Sequence, residues 1–317
     1  MQNNIEHPVT SPDILRQELR KRGYVASRQI ATTVYLACRL CKPVLVEGPA
    51  GVGKTELAKA TASLLDLPLI RLQCYEGLDE SKALYEWKYG KQLLYTQLLK
   101  DKLDSIIRRE NGFSESIEKL YRYDDIFFSP HFLEPRPLMK ALQQDRGAVL
   151  LVDEIDKSDD EFEAFLLEIL SDFQISIPEI GTVKARVKPF VFLTSNNTRE
   201  LGEALKRRCL HLFIPYPDAA LERSVVKIHA PDISDTLNRQ LVAFTQAVRR
   251  LDIRKAPSIS ETIDWARVLL VLHAEHLNSD VVRDTLNVFL KHEADIALVA
   301  DRLHELTTGA LRAAGDS

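Results

Sequence analysis

Eight residues constrain this chain more than any others. Gly48, Pro49, Ala50, Gly51, Val52, Gly53, Lys54 and Thr55 spell G-x-x-x-x-G-K-[ST], a loop that cradles phosphate. Such a loop works between a buried strand and the start of a helix, and the sequence supplies both. Pro43 to Glu47 is a short apolar run of strand type, and Glu56 to Leu65 is a run of good helix formers. The glycines let the backbone curl until successive N–H groups face phosphate oxygens. The helix N-terminus adds the positive end of its dipole. Lys54 is placed to reach the β- and γ-phosphates, and the Thr55 hydroxyl to ligate Mg²⁺. Nucleotide binding is therefore expected at Gly48 to Thr55, together with Glu56 in the first turn of the helix.

A second motif fits the first. Ala148 to Val152 is an apolar run that ends in Asp153 and Glu154, about 95 residues after the loop. The run reads as a buried parallel strand whose C-terminal end opens beside the phosphate site. Asp153 is expected to hold Mg²⁺ through water, and Glu154 to polarise the attacking water. Asp156, Asp159, Asp160, Glu161 and Glu163 follow on a helix with apolar Phe162, Phe165, Leu166, Ile169 and Leu170. They read as its solvated face and its dipole-favoured first turn. Pro189 to Thr194 is another core strand, and it delivers Ser195, Asn196 and Asn197 to the sheet edge near the γ-phosphate. A short helix from Leu201 to Arg208 carries Lys206, Arg207 and Arg208. Cys209 to Ile214 is a fifth strand, and Pro215-Tyr216-Pro217 closes the unit.

Other segments follow local rules. Ser11, Pro12 and Asp13 start a helix that stops at Gly23. A second helix spans Ser27 to Leu40, and Leu67 to Gln73 is a strand. Between about 75 and 137 the pattern is weaker. Glu80 to Ile106 has helical composition, with aromatics Tyr85, Trp87, Tyr89 and Tyr95; they could bind a base or ligand, but core packing is the expectation. Arg108 to Gly112 reads as an exposed turn, and Tyr121 to Pro137 as irregular structure or a short hairpin. Leu138 to Gln144 is expected to be helical. Gln174 to Ala185 alternates about Pro178-Glu179-Ile180-Gly181, a β-hairpin. From Asp218 onward only helical patterns occur. Leu237, Leu241, Phe244, Val248 and Leu251 keep helix spacing, Ser258 to Glu261 is a capping box, and two helices fit 280–292 and 294–307. The expected division is an α/β unit over 1–217 and a small helical domain over 218–317.

The 317 residues are enough for this division. A net charge of −4 gives no basic field to draw nucleic acid or an anionic membrane. No apolar run approaches membrane-spanning length, and the polar start Met1 to His7 lacks a signal-peptide core; the expected location is the cytoplasm. Cys38 and Cys41 form C-x-x-C, but no second ligand pair has zinc spacing. Together with Cys74 and Cys209 they read as buried, reduced thiols.

The order of these motifs resembles an AAA+ ATPase over about residues 25–310. Two strings, Val46 to Thr55 and Pro257 to Ala266, are similar to those of the MoxR family, CoxD-like branch. The resemblance implies a P-loop core with a five-stranded parallel sheet, order 5-1-4-3-2, flanked by helices. It implies an all-helical lid after Asp218, an insert at about 75–137 and a pre-sensor-1 hairpin at 174–185. It assigns Asn196, or less readily Asn197, to sensor 1. It also assigns Arg208 or Arg207 to the arginine finger that enters a neighbour's site, hence a homo-oligomeric ring, usually a hexamer. Its members use ATP and Mg²⁺, act with a partner bearing a von Willebrand factor A (VWA) domain, and mature client enzymes, often metalloenzymes. CoxD-like members are associated with the molybdenum–copper site of carbon monoxide dehydrogenase. One departure stands out. Where MoxR proteins carry a sensor 2 arginine, this chain reads Ser258-Ile259-Ser260-Glu261, which leaves Arg254, Lys255 or Arg267 as substitutes. Other readings are a nucleic-acid or GTP-using motor of the McrB type, which would need a DNA-reading domain or basic stripe, and a small-molecule kinase, which would lack the asparagine strand and the lid. A nucleotide-gated scaffold with little turnover is opposed by intact Lys54, Asp153 and Glu154.

Overall fold

The computed structural model describes residues 9–95, 97, 130–178 and 180–315. The turn expected at 108–112 and the stretch 121–129 lie outside the described residues. Helix α1 (Pro12–Lys21) begins where Ser11 accepts a hydrogen bond from the Ile14 N–H, and it buries Leu15 and Leu19. Helix α2 (Arg28–Leu40) is capped by Ser27 and ends at Cys41, whose φ is 51°. Next come strand β1 (Val44–Glu47), the glycine loop, helix α3 (Lys54–Leu65) and strand β2 (Leu69–Gln73).

The region after β2 departs from the expected long helix. A one-turn helix α4 (Glu80–Ala83) gives way to strand β3 (Tyr85–Trp87), and residues 89–95 are helical again. Strand β3 pairs antiparallel with β4 (Leu133–Pro135), Trp87 opposite Leu133. The physical reason is local: Tyr85 and Trp87 sit two apart with Glu86 between them, a period that suits a pleat. The two rings meet edge to face at 5.9 Å. Helix α5 (Pro137–Leu142) then leads to strand β5 (Val149–Asp153) and a 3₁₀ turn, Ile155–Lys157. Helix α6 (Asp160–Asp172) ends at Phe173, and the expected hairpin follows as β6 (Gln174–Ile177) and β7 (Gly181–Lys184). Strand β8 (Phe190–Ser195), helix α7 (Glu203–Arg208) and strand β9 (Leu210–Phe213) complete the α/β part.

Five strands form one parallel sheet in the order β2-β5-β8-β1-β9. Counted along the chain and read from the opposite edge, this is the expected 5-1-4-3-2. Both faces are covered, so successive side chains enter different cores. Val44, Val46, Val149 and Leu151 face one apolar cluster, built with α1, α2 and α3. Leu45, Leu150 and Val152 face the other, built with α5 and α6. The register sets Glu47 beside Ser195 and Gln73 beside Asp153, so the polar strand ends line up along the C-terminal edge.

The C-terminal region is helical: α8 (Ala219–His229), α9 (Asp235–Val248), α10 (Ile259–Val271), α11 (Ser279–Phe289), α12 (Glu293–Asp301) and α13 (Leu303–Gly315). It has its own core around Trp265, whose ring lies tilted against Phe289 with centroids 4.7 Å apart and whose indole N–H donates to Thr285. The helix expected at 294–307 is two helices, broken at Arg302, and the one expected at 280–292 ends at Phe289. Val299, Leu303, Leu306 and Ala310 enter the same core in phase across the break. Periodicity alone therefore reads through it.

The region packs on the α/β part through α8 and α10, with Val225 and Ile263 partly buried against the α1–α3 cluster. Ile259 packs into the same cluster. Buried Glu222 accepts from both terminal nitrogens of Arg249 at 2.7 Å, while that guanidinium lies over the Tyr216 ring in the connecting segment. Among the described residues no helix is long and apolar enough to cross a membrane. The thiols are unpaired, but not all are buried: Cys74 is, Cys38 and Cys209 are half-buried, and Cys41 is exposed because it is the left-handed residue ending α2.

Candidate active site

The glycine loop follows β1 and leads directly into α3. Gly51 and Gly53 take φ of +72° and +95°, values that L side chains rarely adopt. A side chain at Gly48 would strike the carbonyl of Ile214, the residue just past β9. Lys54 is buried, and its ammonium donates to three oxygens at 2.7 Å each: Gly48 O, Pro49 O and Asn196 Oδ1. Burial pulls its pKa down, and the nearby carboxylates of Asp156, Asp153 and Glu154 oppose that shift.

Asp153 sits at the end of β5, buried. Its carboxylate oxygens lie 3.2 and 3.3 Å from Thr55 Oγ1. It also accepts the Thr194 hydroxyl, and it accepts Arg71 through Nε at 2.9 Å and through a terminal nitrogen at 2.6 Å. Glu154 occupies the left-handed region at φ 58°, uncommon for a residue with a Cβ and a turn that re-aims its side chain. Its carboxylate accepts from Gln73 Nε2 at 2.8 Å, Lys157 Nζ at 2.6 Å and Asn196 Nδ2 at 3.4 Å. The Asn196 amide thus bridges Lys54 and Glu154. Asn197 points elsewhere; its φ is 57° and its side chain turns back to Ser195.

A divalent cation and a nucleotide can be fitted to this donor set. Thr55 and Asp153 offer hard oxygens side by side, which suits Mg²⁺ held partly by water and phosphate. The glycine cradle has room where side chains would fill it. Beside the loop a cavity of about 330 Å³ opens between the α/β part and the helical region. Tyr24, Val25, Val52, Pro215, Ile259 and Ile263 line it, largely apolar and of a size for a nucleoside. Burial pushes the Tyr24 hydroxyl's pKa up, so that wall stays uncharged. Glu56 and Lys59 line the cavity too and pair with each other at 2.6 Å.

The arginines expected to act on a neighbour differ in their ties. Arg208 bonds Ser171 and the Ala204 carbonyl of its own chain, whereas Arg207 has no side-chain partner among the described residues. Of the cations near the capping box, Lys255 pairs with Glu261 at 3.2 Å and exposed Arg267 with Asp264 at 3.4 Å. Glu261 caps Ser258, and Ser258 adjoins Gly51. Lys255 is thereby linked to Ser258 through Glu261.

Two acids assigned to a solvated face are not there. Glu163 is buried and accepts from Arg199 and from the Gly202 N–H. Asp156 is buried on the 3₁₀ turn and faces the Asn196 loop. The turn after Glu154 rotates Asp156 inward, which helix periodicity does not anticipate. Asp159 caps α6, and Asp160 is exposed, as expected. Arg71, Gln73, Thr194 and Thr198 were not singled out by motif. A signal existed for the first two: polar residues alternate at the end of an otherwise apolar strand beside Asp153.

Sheet order and the cluster at its C-terminal edge together place the chain among the P-loop nucleotide hydrolases. Within that class it belongs to the AAA domain family, dynein-related subfamily, which matches residues 43–209, more than half of the chain. The activity of this chain is ATP hydrolysis. It is similar to an uncharacterized protein of Staphylococcus epidermidis, 25% identical over 260 residues, covering 78% of this chain and 86% of that one. It is also similar to an uncharacterized protein of Staphylococcus aureus, 24% identical over 259 residues, covering 78% and 85%. Among solved structures it is similar to a RuvB mutant of Thermotoga maritima, 19% identical, covering 95% of this chain and 92% of that one, with a TM-score of 0.49.

Proposed function

We propose that the chain is a Mg²⁺-dependent ring ATPase of the MoxR type that remodels or matures a partner protein in the cytoplasm. In this reading 1–217 is the nucleotide-binding core and 218–317 the lid. The observation that carries the nucleotide chemistry is the bridge made by Asn196 between Lys54 and Glu154. Gly48 to Thr55 bind the phosphates of ATP, and the base occupies the cavity walled by Tyr24, Val25 and Ile259. Thr55 and Asp153 hold Mg²⁺, which neutralises phosphate charge when bound. Glu154 takes the proton of the attacking water, and Asn196 orients that water.

Remodelling is supported by the hairpin. Ile175 and Ile177 of β6 are buried, but Gly181, Thr182 and Lys184 of β7 are exposed, leaving one strand of the ribbon available to a client. An adaptor with a VWA domain and a metalloenzyme client complete the reading. Deleting Pro178 to Gly181 is expected to leave basal ATPase within about twofold, since no site residue lies there, while client remodelling is lost. Remodelling that survives the deletion refutes the hairpin's role.

The ring is tested by mixing. Lys54→Ala and the double variant Arg207→Ala/Arg208→Ala are each expected to be inactive, and mixed after subunit exchange they recover part of the ATPase. Exchange without recovery means that the arginines act within their own subunit. Repeating the mixture with each single variant separates the two; Arg207, whose side chain has no partner among the described residues, is expected to be the one required.

A further inference from the structure

The loop Ser195–Thr198 carries Asn196, and Asn196 must meet both Lys54 and Glu154. What holds that loop is a carboxylate. Asp156 is buried, 4% exposed. Its Oδ2 accepts from Asn196 N at 3.2 Å, Thr198 N at 3.0 Å and Thr198 Oγ1 at 2.6 Å. Three donors on one oxygen suit an anion better than a neutral acceptor. Its other oxygen, Oδ1, is buried with no hydrogen-bond partner, a costly arrangement that needs a compensating role.

The anchor sits at a junction. Asp156 lies two residues after Glu154, on the turn that aims that carboxylate, and it accepts the backbone N–H groups of Asn196 and Thr198, the residues flanking Asn197, whose φ is +57°. One link therefore fixes Asn196 relative to Glu154. Further along, Arg199 and Gly202 have a separate anchor in Glu163, so the part nearest the reaction depends on Asp156.

We propose that Asp156 is a positioning residue for hydrolysis: it fixes the loop of Asn196 so that the amide bridges Lys54 and Glu154. Asp156 touches neither phosphate nor water in this role; it acts through Asn196. The inference rests on the reading of Asn196 as the residue that orients the attacking water.

The test is a mutant cycle read in kcat and in ATP affinity. Asn196→Ala is expected to lower kcat about a hundredfold, and Asp156→Ala at least about tenfold, with the ATP dissociation constant within about twofold of wild type. The double variant should match Asn196→Ala alone, because both changes remove one function. Asp156→Asn keeps an oxygen where the three donors converge and should restore most of the loss. If Asp156→Ala fails to fold, Thr198→Val, which removes only the hydroxyl link, should lower kcat severalfold at unchanged ATP affinity. The proposal is overturned by near-normal kcat in Asp156→Ala, or in Thr198→Val where that variant decides. Multiplicative losses in the double variant, or a parallel loss of ATP affinity, overturn it too. Near-normal kcat in Asn196→Ala would instead overturn the site reading and this inference with it.

Discussion

Lys54→Ala is expected to abolish nucleotide binding, with affinity falling at least about a hundredfold. The ammonium is buried and already turned toward the inside of the glycine loop, where it spends its three donors on Gly48 O, Pro49 O and Asn196. Binding exchanges such neutral acceptors for phosphate oxygens. Hydrogen bonds to charged groups contribute about 1.5–3 kcal/mol each. Losing two removes about 3–6 kcal/mol, or roughly 10²- to 10⁴-fold in dissociation constant. The variant also leaves Asp153, Glu154 and Asp156 without the cation that faces all three, which adds repulsion toward an anionic ligand. Titration calorimetry with ATP checks the loss, and a thermal melt checks that the fold is retained. Unchanged affinity would take the phosphate role away from this loop.

Glu154→Gln is expected to bind ATP with little change and to hydrolyse it at least about a hundredfold more slowly, the scale of a lost general base. Glutamine matches the size of the side chain and can still accept from Gln73 and Asn196, so the local geometry survives. What it cannot do is take a proton. The pair with half-exposed Lys157 is also lost, but such pairs contribute little to stability. A single-turnover measurement beside a binding isotherm separates the two effects. Near-normal turnover would remove Glu154 from the reaction.

The site was legible where a motif ties residue type to backbone shape. Gly48 to Thr55 needed only the strand and helix around them, Asp153, Glu154 and the Ser195–Asn197 stretch followed from apolar runs that end in polar residues, and the choice of Asn196 over Asn197 came from the resemblance. The sheet order came from the resemblance, and the strands fall in that order. Three things were hidden. Tyr85 to Trp87 has the spacing of a pleat, but three residues are too short a run to stand out from the helical composition around them, and the partner that makes them a strand, Leu133 to Pro135, lies far along the chain. The break at Arg302 is silent because the apolar residues stay in phase across it. Asp156 looked like a surface acid because helix phase was counted through a turn that the left-handed Glu154 resets, and Glu163 because its charge outweighed its place in phase with buried Leu166 and Leu170. Their partners, Thr198 and Arg199, belong to another strand's end.

Gly51 and Ser258 lie far apart in the chain, yet they share one small space. A side chain at Gly51 would run into the Ser258 side chain, the residue that opens α10. The glycine is thus fixed twice, by a positive φ and by its neighbour. The two positions are free to vary only together: a larger residue at the first requires something smaller at the second, and Ser258 cannot shrink to glycine without giving up the cap it supplies to Glu261 N. Drift in this chain is therefore closed off at the seam between the nucleotide loop and the helices above it, while exposed positions such as Val271 and Leu272 at the far end of the same helix remain open to change.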